Sequence, residues 1–384
     1  MFDSGAQQRY IGAGGRRRFT ARHMMETVEG ATGDRWFAEV AAPADVRLIE
    51  ALSDQAVCWA IERRFGEVKD ALAAGTTPPR LRMRGELYEM LEFLAAAAAT
   101  GQPHLFEDYV QWLRDVFGSR MREDDGLPTM LRLLHDFFGQ RLGPMSAEPV
   151  TRLISAGISI ADGAVTRLPQ PPVFPAPLAG ADELARCLVA GNIGGARAMV
   201  RRLDAGGLGY VQIATRLFQP ALYAVGQLWQ RNEITVAQEH LASAIAQTIL
   251  TQMFIRDDFL PRRDDKALFA CVSGNSHALG LRLVCDAFEL KGWSVQYVGS
   301  GVPAEALIAH IDSWRPQLVC LSASLVPQLP ELRRLVAEIR ATFGGRRPAV
   351  VVGGLATNEI ASIWQWIGAD EWFPDAEAAS ARGG

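Results

Sequence analysis

The sequence predicts an α plus α/β protein: an N-terminal helical domain, a four-helix bundle, and a flavodoxin-like (Rossmann-like) domain with a parallel five-stranded sheet. Three observations carry this prediction. Apolar residues recur at helical spacing through residues 36–163 and 181–258. Continuous apolar runs alternate with amphipathic segments through residues 264–376. Between the two helical stretches, Pro169, Pro171, Pro172, Pro175 and Pro177 crowd one short segment, where fixed φ and missing donors favour an extended linker.

The elements follow in order. Residues 1–35 are Gly-rich, carry the basic run Arg16-Arg17-Arg18, and read as a flexible N-terminus. In the helical domain, 36–163, one apolar face is Leu87, Met90, Leu91 and Leu94; others are Phe106, Tyr109, Val110 and Leu113, and Leu131, Leu134 and Phe138. The linker is 164–180. In the bundle, 181–258, Leu184 and Leu188 form one face and Ile213, Leu217, Leu222 and Val225 another. Thr235-Val236-Ala237-Gln238 is a capping box, so a helix should start at about Val236 and bury Ala237, Leu241, Ile245 and Ile249. In the last domain, 264–376, the strands are Ala267–Val272, Ser294–Val298, Leu318–Ser322 and Ala349–Val352, with a short fifth at Glu371–Phe373. Helices fit at about 279–291, 303–314, 328–342 and 357–366, and residues 377–384 read as a flexible tail.

Bulk properties exclude several classes. A net charge of −4 gives no global basis for binding nucleic acid or an acidic membrane. No apolar run approaches the ~18 residues of a membrane span, and Met1–Gly15 lacks the apolar core of a signal peptide. The five cysteines, Cys58, Cys187, Cys271, Cys285 and Cys320, are scattered and form no CxxC pair, as expected of reduced thiols in the cytoplasm.

The most informative stretch is Asn275-Ser276-His277-Ala278-Leu279-Gly280, which follows the first strand. It places a histidine where open α/β sheets bind ligands. Small residues end the other strands: Ser322-Ala323-Ser324 after the third and Gly353-Gly354 after the fourth. Together they would line a deep slot. This pattern resembles the Asp-x-His-x-x-Gly…Ser-x-(Leu/Thr/Ser)…Gly-Gly signature of cobalamin-binding domains. The resemblance implies that His277 is the lower axial ligand of cobalt. It also implies that Asn275, Ser276, Gly280, Ser322, Ser324, Gly353 and Gly354 surround the cobalamin and its nucleotide tail. The first position departs, being Asn275 rather than Asp. A carboxylate that accepts from the other ring nitrogen raises imidazole basicity, so His277 is expected to be a weaker donor that still ligates. Asn275 would accept its hydrogen bond through the amide oxygen.

Trp229, nine residues, then Glu239-His240 form a second constellation, on two consecutive bundle helices. Their short connection would let all three side chains face one cavity. The spacing resembles that of light-dependent cobalamin photoreceptors. That resemblance implies a bundle capping the upper face of adenosylcobalamin, with Trp229 packed on the adenosyl group and Glu239 and His240 closing the pocket. Light would break the Co–C bond and change packing or assembly. DNA-binding members carry a histidine after the tryptophan; here it is Gln230, leaving water or His240 as the upper ligand after photolysis.

Those members begin with a winged helix-turn-helix, and none is legible here, so direct DNA binding is not expected. His104-Leu105-Phe106-Glu107-Asp108-Tyr109-Val110-Gln111-Trp112 instead resembles the Phe-x-x-Tyr-x-x-Trp segment of stand-alone cobalamin sensors, including the photocobilins. This implies a biliverdin site lined by His104, Tyr109 and Trp112, with Arg80, Arg82 and Arg84 as propionate partners. The expected protein is a non-enzymatic light sensor, a homo-oligomer whose state depends on light, acting on a separate effector. A corrinoid methyl carrier shares the bundle and sheet, but Trp229 with Glu239-His240 would obstruct the face a methyl carrier must expose. A cobalamin-liganded antirepressor is the third reading.

Overall fold

The computed structural model describes residues 43–66, 78–120, 126–168, 175–360 and 362–382. They fall into two compact units: the described residues of 3–114 with 123–167, and those of 115–122 with 168–384. The expected flexible start at 1–35 and Pro169, Pro171 and Pro172 lie outside the described residues. Among the described residues no helix is long and apolar enough to cross a membrane.

The first unit is built from α1 (Pro43–Phe65), α2 (Pro78–Thr100), α3 (Pro103–Ser119) as far as Arg114, α4 (Gly126–Arg141) and α5 (Pro144–Ala161). Four of these open on proline, which suits the first helical position because its φ is preset and no N–H is needed there. The core is aromatic and aliphatic: Phe106, Phe137, Phe138, Leu87, Leu94 and Leu131 are fully buried. Gly157 lets α5 approach α3, since a Cβ there would sit 3.0 Å from Phe106 Cε1 and 3.3 Å from Val110 Cγ2. The chain leaving α5 is pinned by Arg167, whose guanidinium meets Asp108 at 2.6 Å and Glu107 at 2.5 Å.

The second unit holds the bundle and the sheet. The bundle comprises α6 (Ala181–Val189), α7 (Ile193–Ala205), a long helix from Tyr210 to Gln230, and α10 (Val236–Phe254). The long helix is α8 (Tyr210–Ile213), a π-helical turn (Ala214–Phe218), and α9 (Gln219–Gln230). The π turn has a local cause. Pro220 has no N–H to give the Arg216 carbonyl, so the ladder slips by one residue. The freed carbonyl instead accepts from Leu178 N at 2.8 Å. The Thr235 capping box is present and α10 starts at Val236 as expected.

Ala237 and Leu241, expected on the buried face of α10, are exposed; the buried stripe runs through Glu239, Ala242, Ile245, Ala246, Ile249 and Leu250. The reason is geometric. An i, i+4 ladder drifts about 40° per step around a helix of 3.6 residues per turn, so the three steps from Ala237 to Ile249 span about 120° and cannot all stay on one contact face.

The sheet is all parallel, in the order β2-β1-β3-β4-β5. Its strands are β1 (Lys266–Cys271), β2 (Ser294–Gly299), β3 (Leu318–Ser322), β4 (Ala349–Gly353) and β5 (Glu371–Phe373). The connecting helices are α11 (Leu279–Leu290), α12 (Ala304–Trp314) and α13 (Leu329–Phe343). Where one helix was expected at 357–366 there are two, α14 (Leu355–Asn358) and α15 (Ile363–Ile367). Cys271, Ser322 and Gly353 share one register row, so the loops after β1, β3 and β4 leave the sheet side by side. The strand order reverses between β1 and β3, the switch point where such sheets bind ligands. Leu279, Leu283, Ala287 and Leu290 of α11 join the bundle core, which seats the bundle on the sheet domain.

Residues 377–384, expected as a flexible tail, instead supply most of a helix, α16 (Ala376–Arg382). Asp375 Oδ1 accepts from Ala378 N at 2.8 Å, capping its start. Ala376 and Ala379 are buried, and Glu377 holds the Arg216 guanidinium by two bonds of 2.7 Å.

Candidate functional site

The loop after β1 is tied in place by Asn275, which is 2% exposed. Its Oδ1 accepts from the His277 backbone N–H at 3.0 Å, and its Nδ2 donates to the Ser322 carbonyl, 47 residues away, at 2.9 Å. These two neighbours set the amide orientation: the N–H requires an oxygen and the carbonyl requires the NH2. The expected bond from imidazole to the Asn275 amide oxygen is therefore replaced by a backbone one. On the other side, the Tyr297 hydroxyl of β2 donates to the Ala278 carbonyl at 3.0 Å, and burial pushes this phenol up to about 12, which keeps it a donor.

The loop after β3 is held by Gln328, which sequence reasoning missed. Its Oε1 accepts from Ser324 N at 2.8 Å and Leu325 N at 3.1 Å, while its Nε2 reaches the Gly274 carbonyl at 3.3 Å. One buried amide thus clasps both loops. Its signal was a Gln three residues after a helix entry, the half of a capping box that reaches back.

Between the loops and the bundle lies a cavity of about 150 Å³. Of the expected site residues, His277, Gly280, Ser322, Ser324, Gly353 and Gly354 line it. Asn275 lies buried behind it, and Ser276 is exposed on the loop. Gly354 is required by its backbone, at φ 100° and ψ 165°. A Cβ there would lie 2.2 Å from the Ala323 carbonyl oxygen. The far wall comes from residues not anticipated: Gln219, Leu222 and Tyr223 of α9, just past the π turn, and Asn358 and Asp375.

The donor set fits a corrinoid. His277 Nδ1 is buried, and the ring lines the cavity. Among the described residues no three His, Cys, Asp or Glu side chains converge on a metal. A lone imidazole suits an ion that brings its own equatorial ligands, as cobalt does in a macrocycle. Cys320 also lines the cavity, but burial drives its thiol well above its usual range, so it stays protonated and a poor ligand. The remaining lining is largely apolar, as a flat organic tail requires.

The second constellation is arranged differently from expectation, since the His277 cavity is lined by none of its three members. Trp229 is partly buried against the bundle core, with the Arg120 guanidinium 4.6 Å from its ring centroid. Glu239 is buried and accepts from Ser243 Oγ at 3.1 Å. His240, its side chain 60% exposed, lies with Nδ1 2.7 Å from Glu239 Oε2. In the helical unit, Tyr109 is buried and stacked on Phe93 with centroids 3.7 Å apart, and Trp112 lies 6.1 Å from Tyr109. No planar ligand fits between Phe93 and Tyr109 in this arrangement. His104 is partly buried, and burial lowers its pKa. Arg80 is engaged with the Phe65 carbonyl and ring, and Arg84 lies over Tyr88.

Asn275→Asp isolates the role of the amide. A carboxylate would face the Ser322 carbonyl with no proton to share, a cost of about 2 kcal/mol. Burial would hold the new carboxyl protonated, raising its pKa above that of the unfolded chain. Its stability is then retained below about pH 4 and lost as pH rises through the folded pKa. Urea titrations should show the variant weakened more at pH 7 than at pH 5. Equal losses at both would remove the amide from this role.

The fold and this site define a class: a helical cap seated on a flavodoxin-like domain with one histidine at the switch point, the architecture of a cobalamin-binding module. Residues 265–382 match the family described as B12 binding domain, and residues 181–253 match a second family of that description. These two matches indicate a cobalamin cofactor for this part of the chain. It is similar to the HTH-type transcriptional repressor CarA of Myxococcus xanthus, 37% identical over 127 residues, or 33% of this chain and 43% of that one. It is also similar to CarH of the same organism, 26% identical over 159 residues, or 40% of this chain and 52% of that one. The chain thus spans about half the length of these curated relatives. Among solved structures, the Methanosarcina barkeri monomethylamine corrinoid protein aligns with a TM-score of 0.45 at 20% identity, covering 52% of this chain and 95% of that one.

Proposed function

We propose that this protein is a light sensor that uses adenosylcobalamin, with His277 as the lower cobalt ligand. The observation that carries the reading is that His277 lines a largely apolar cavity at the β1/β3 switch point, beside Ser322, Ser324, Gly353 and Gly354. When bound, adenosylcobalamin supplies a Co–C bond weak enough for visible light to break. The chain's own part is to hold the corrin from below through His277 and to respond from above. The upper response rests on the Trp229, Glu239, His240 spacing across α9 and α10, and on similarity to CarA and CarH. Because Trp229, Glu239 and His240 lie outside the His277 cavity, the bundle would have to close over the cofactor for them to reach it. Of their present contacts, the arginine over the indole and the solvent-facing imidazole can be rearranged at the surface, whereas Glu239 is buried and Trp229 packs on the bundle core.

The output we infer is a change of assembly or of contact with a partner protein. Its support is that the chain carries a separate compact helical unit, with α1–α5 among its described residues, in addition to the cobalamin module. The biliverdin site implied by the Phe-x-x-Tyr-x-x-Trp resemblance would need the Phe93–Tyr109 stack to open.

One experiment tests these readings together. The full chain is loaded with adenosylcobalamin in the dark, and its absorbance and elution volume are measured before and after green light. The expected result is a spectral change accompanied by a shift in elution. An unchanged spectrum overturns the light reading, and a spectral change with an unaltered protein overturns the sensor reading in favour of a carrier or a liganded antirepressor. A parallel sample with biliverdin should develop a far-red band if the helical unit holds a bilin; its absence withdraws that site.

A further inference from the structure

A second cavity, of about 540 Å³, lies on the bundle and shares no residue with the first. Arg197 and Arg201, one turn apart on α7, present two guanidiniums to it, and Arg256, just past the end of α10, presents a third. Several arginines elsewhere are paired, Arg216 with Glu377, Arg282 with Asp286 and Arg347 with Asp370. Among the described residues, Arg197, Arg201 and Arg256 form no ion pair, although Asp204, Asp257 and Asp258 line the same cavity. Arg197 Nε is in addition buried with no hydrogen-bond acceptor. An unsatisfied donor on a charged group is costly, and such groups are rare unless a ligand completes them.

The carboxylates do not fill this role. Asp257 is committed to the backbone, its Oδ2 accepting from Tyr210 N and its Oδ1 from Asp258 N, both at 2.9 Å. That leaves three cations facing two carboxylates, Asp204 and Asp258. One side of the cavity is apolar, with Val200, Ile249 and Met253.

We propose that this cavity binds a small phosphate ester that also carries hydroxyl or amino donors, a nucleotide being the simplest ligand of that chemistry. The guanidinium forks match phosphoryl oxygens. Asp204 and Asp258 accept from the ester's hydroxyl or amino groups, and the apolar side receives its non-polar part. The volume exceeds that of bare phosphate. The site stands independently of the cobalamin reading.

Isothermal titration of the full chain at fixed ionic strength tests it, with ATP, AMP and pyrophosphate as probes. ATP is expected to bind more tightly than pyrophosphate. Arg197→Gln and Arg201→Gln should each weaken it about tenfold, while Arg202→Gln, on the neighbouring exposed position outside the cavity, should leave it unchanged. Arg197→Lys keeps the charge and loses the fork, so it should also weaken ATP even if the glutamine variant fails to fold. Absence of binding by any nucleotide overturns the site. So does a loss shared equally by the Arg202 variant. Equal affinity for pyrophosphate and ATP overturns the ester and leaves only an inorganic anion.

Discussion

His277→Ala is expected to weaken cobalamin binding about a hundredfold or more, and to shift the absorbance of any bound cofactor toward a form without an imidazole ligand. The magnitude follows if His277 is the lower donor to cobalt, as proposed, since losing a ligand costs more than the 10–100-fold typical for groups that only orient one. The fold should survive, because the loop is held through groups the substitution leaves alone. Asn275 Oδ1 receives the backbone N–H of residue 277, Asn275 Nδ2 reaches the Ser322 carbonyl, and Tyr297 holds the Ala278 carbonyl. Far-UV circular dichroism and thermal melts of the cofactor-free protein should therefore match the parent. A parent-like spectrum of the loaded variant would remove His277 from cobalt.

Gly354→Ala is expected to have the largest effect on stability. The residue sits at φ 100° and ψ 165°, a region that only glycine occupies without strain. A Cβ would lie 2.2 Å from the Ala323 oxygen, 2.8 Å from its carbonyl carbon and 2.9 Å from Ser322 Oγ. Two of these are backbone atoms of β3's exit loop and cannot swing aside. Strain and overlap together should cost about 3 kcal/mol or more, which lowers the melting temperature of a unit this size by roughly 6–12 °C. Gly280→Ala is the control. It lies in α11 with nothing within 4 Å of the added carbon, so melting should be unchanged or slightly raised. Gly280 also lines the cavity, so a variant that melts normally yet binds cobalamin less tightly would separate its contact with the cofactor from the folding of the domain. If Gly354→Ala melts like the parent, the close approach of the two loops is not a feature of the folded protein.

Much of the sheet domain could be read locally. A strand buried on both faces must be continuously apolar, so β1, β3 and β4 appear as runs such as Leu268-Phe269-Ala270 and Val350-Val351-Val352, all buried. The entry to α10 was equally legible, because a capping box spans only four residues. Which stripe of α10 faces inward was not. That helix is apolar on most of its circumference, and only packing against α6 and α9 selects Ala242 and Ala246 over Ala237 and Leu241.

The candidate site divides the same way. The histidine, the serines and the paired glycines were visible because each sits within a few residues of a strand end. Gln219, Tyr223 and Gln328 were not, since what recruits them is a neighbour brought close by the fold. The same holds for α16: Ala376–Arg382 looks like a loose end until Arg216, 161 residues earlier, meets Glu377.

By itself, then, the sequence determined the parallel five-stranded sheet, the capped bundle and the family of the cofactor, because those depend on periodicity and short-range spacing. Only the tertiary structure decided how the departure at Asn275 works. The residue looked like a weakened acceptor for the imidazole N–H. In the structure it accepts from the His277 backbone and also donates to Ser322, a bond that a carboxylate cannot make, whose partner lies 47 residues away on the adjacent strand. Hydrogen-bond roles are assigned by what lies across the gap, and a linear chain does not show its far side.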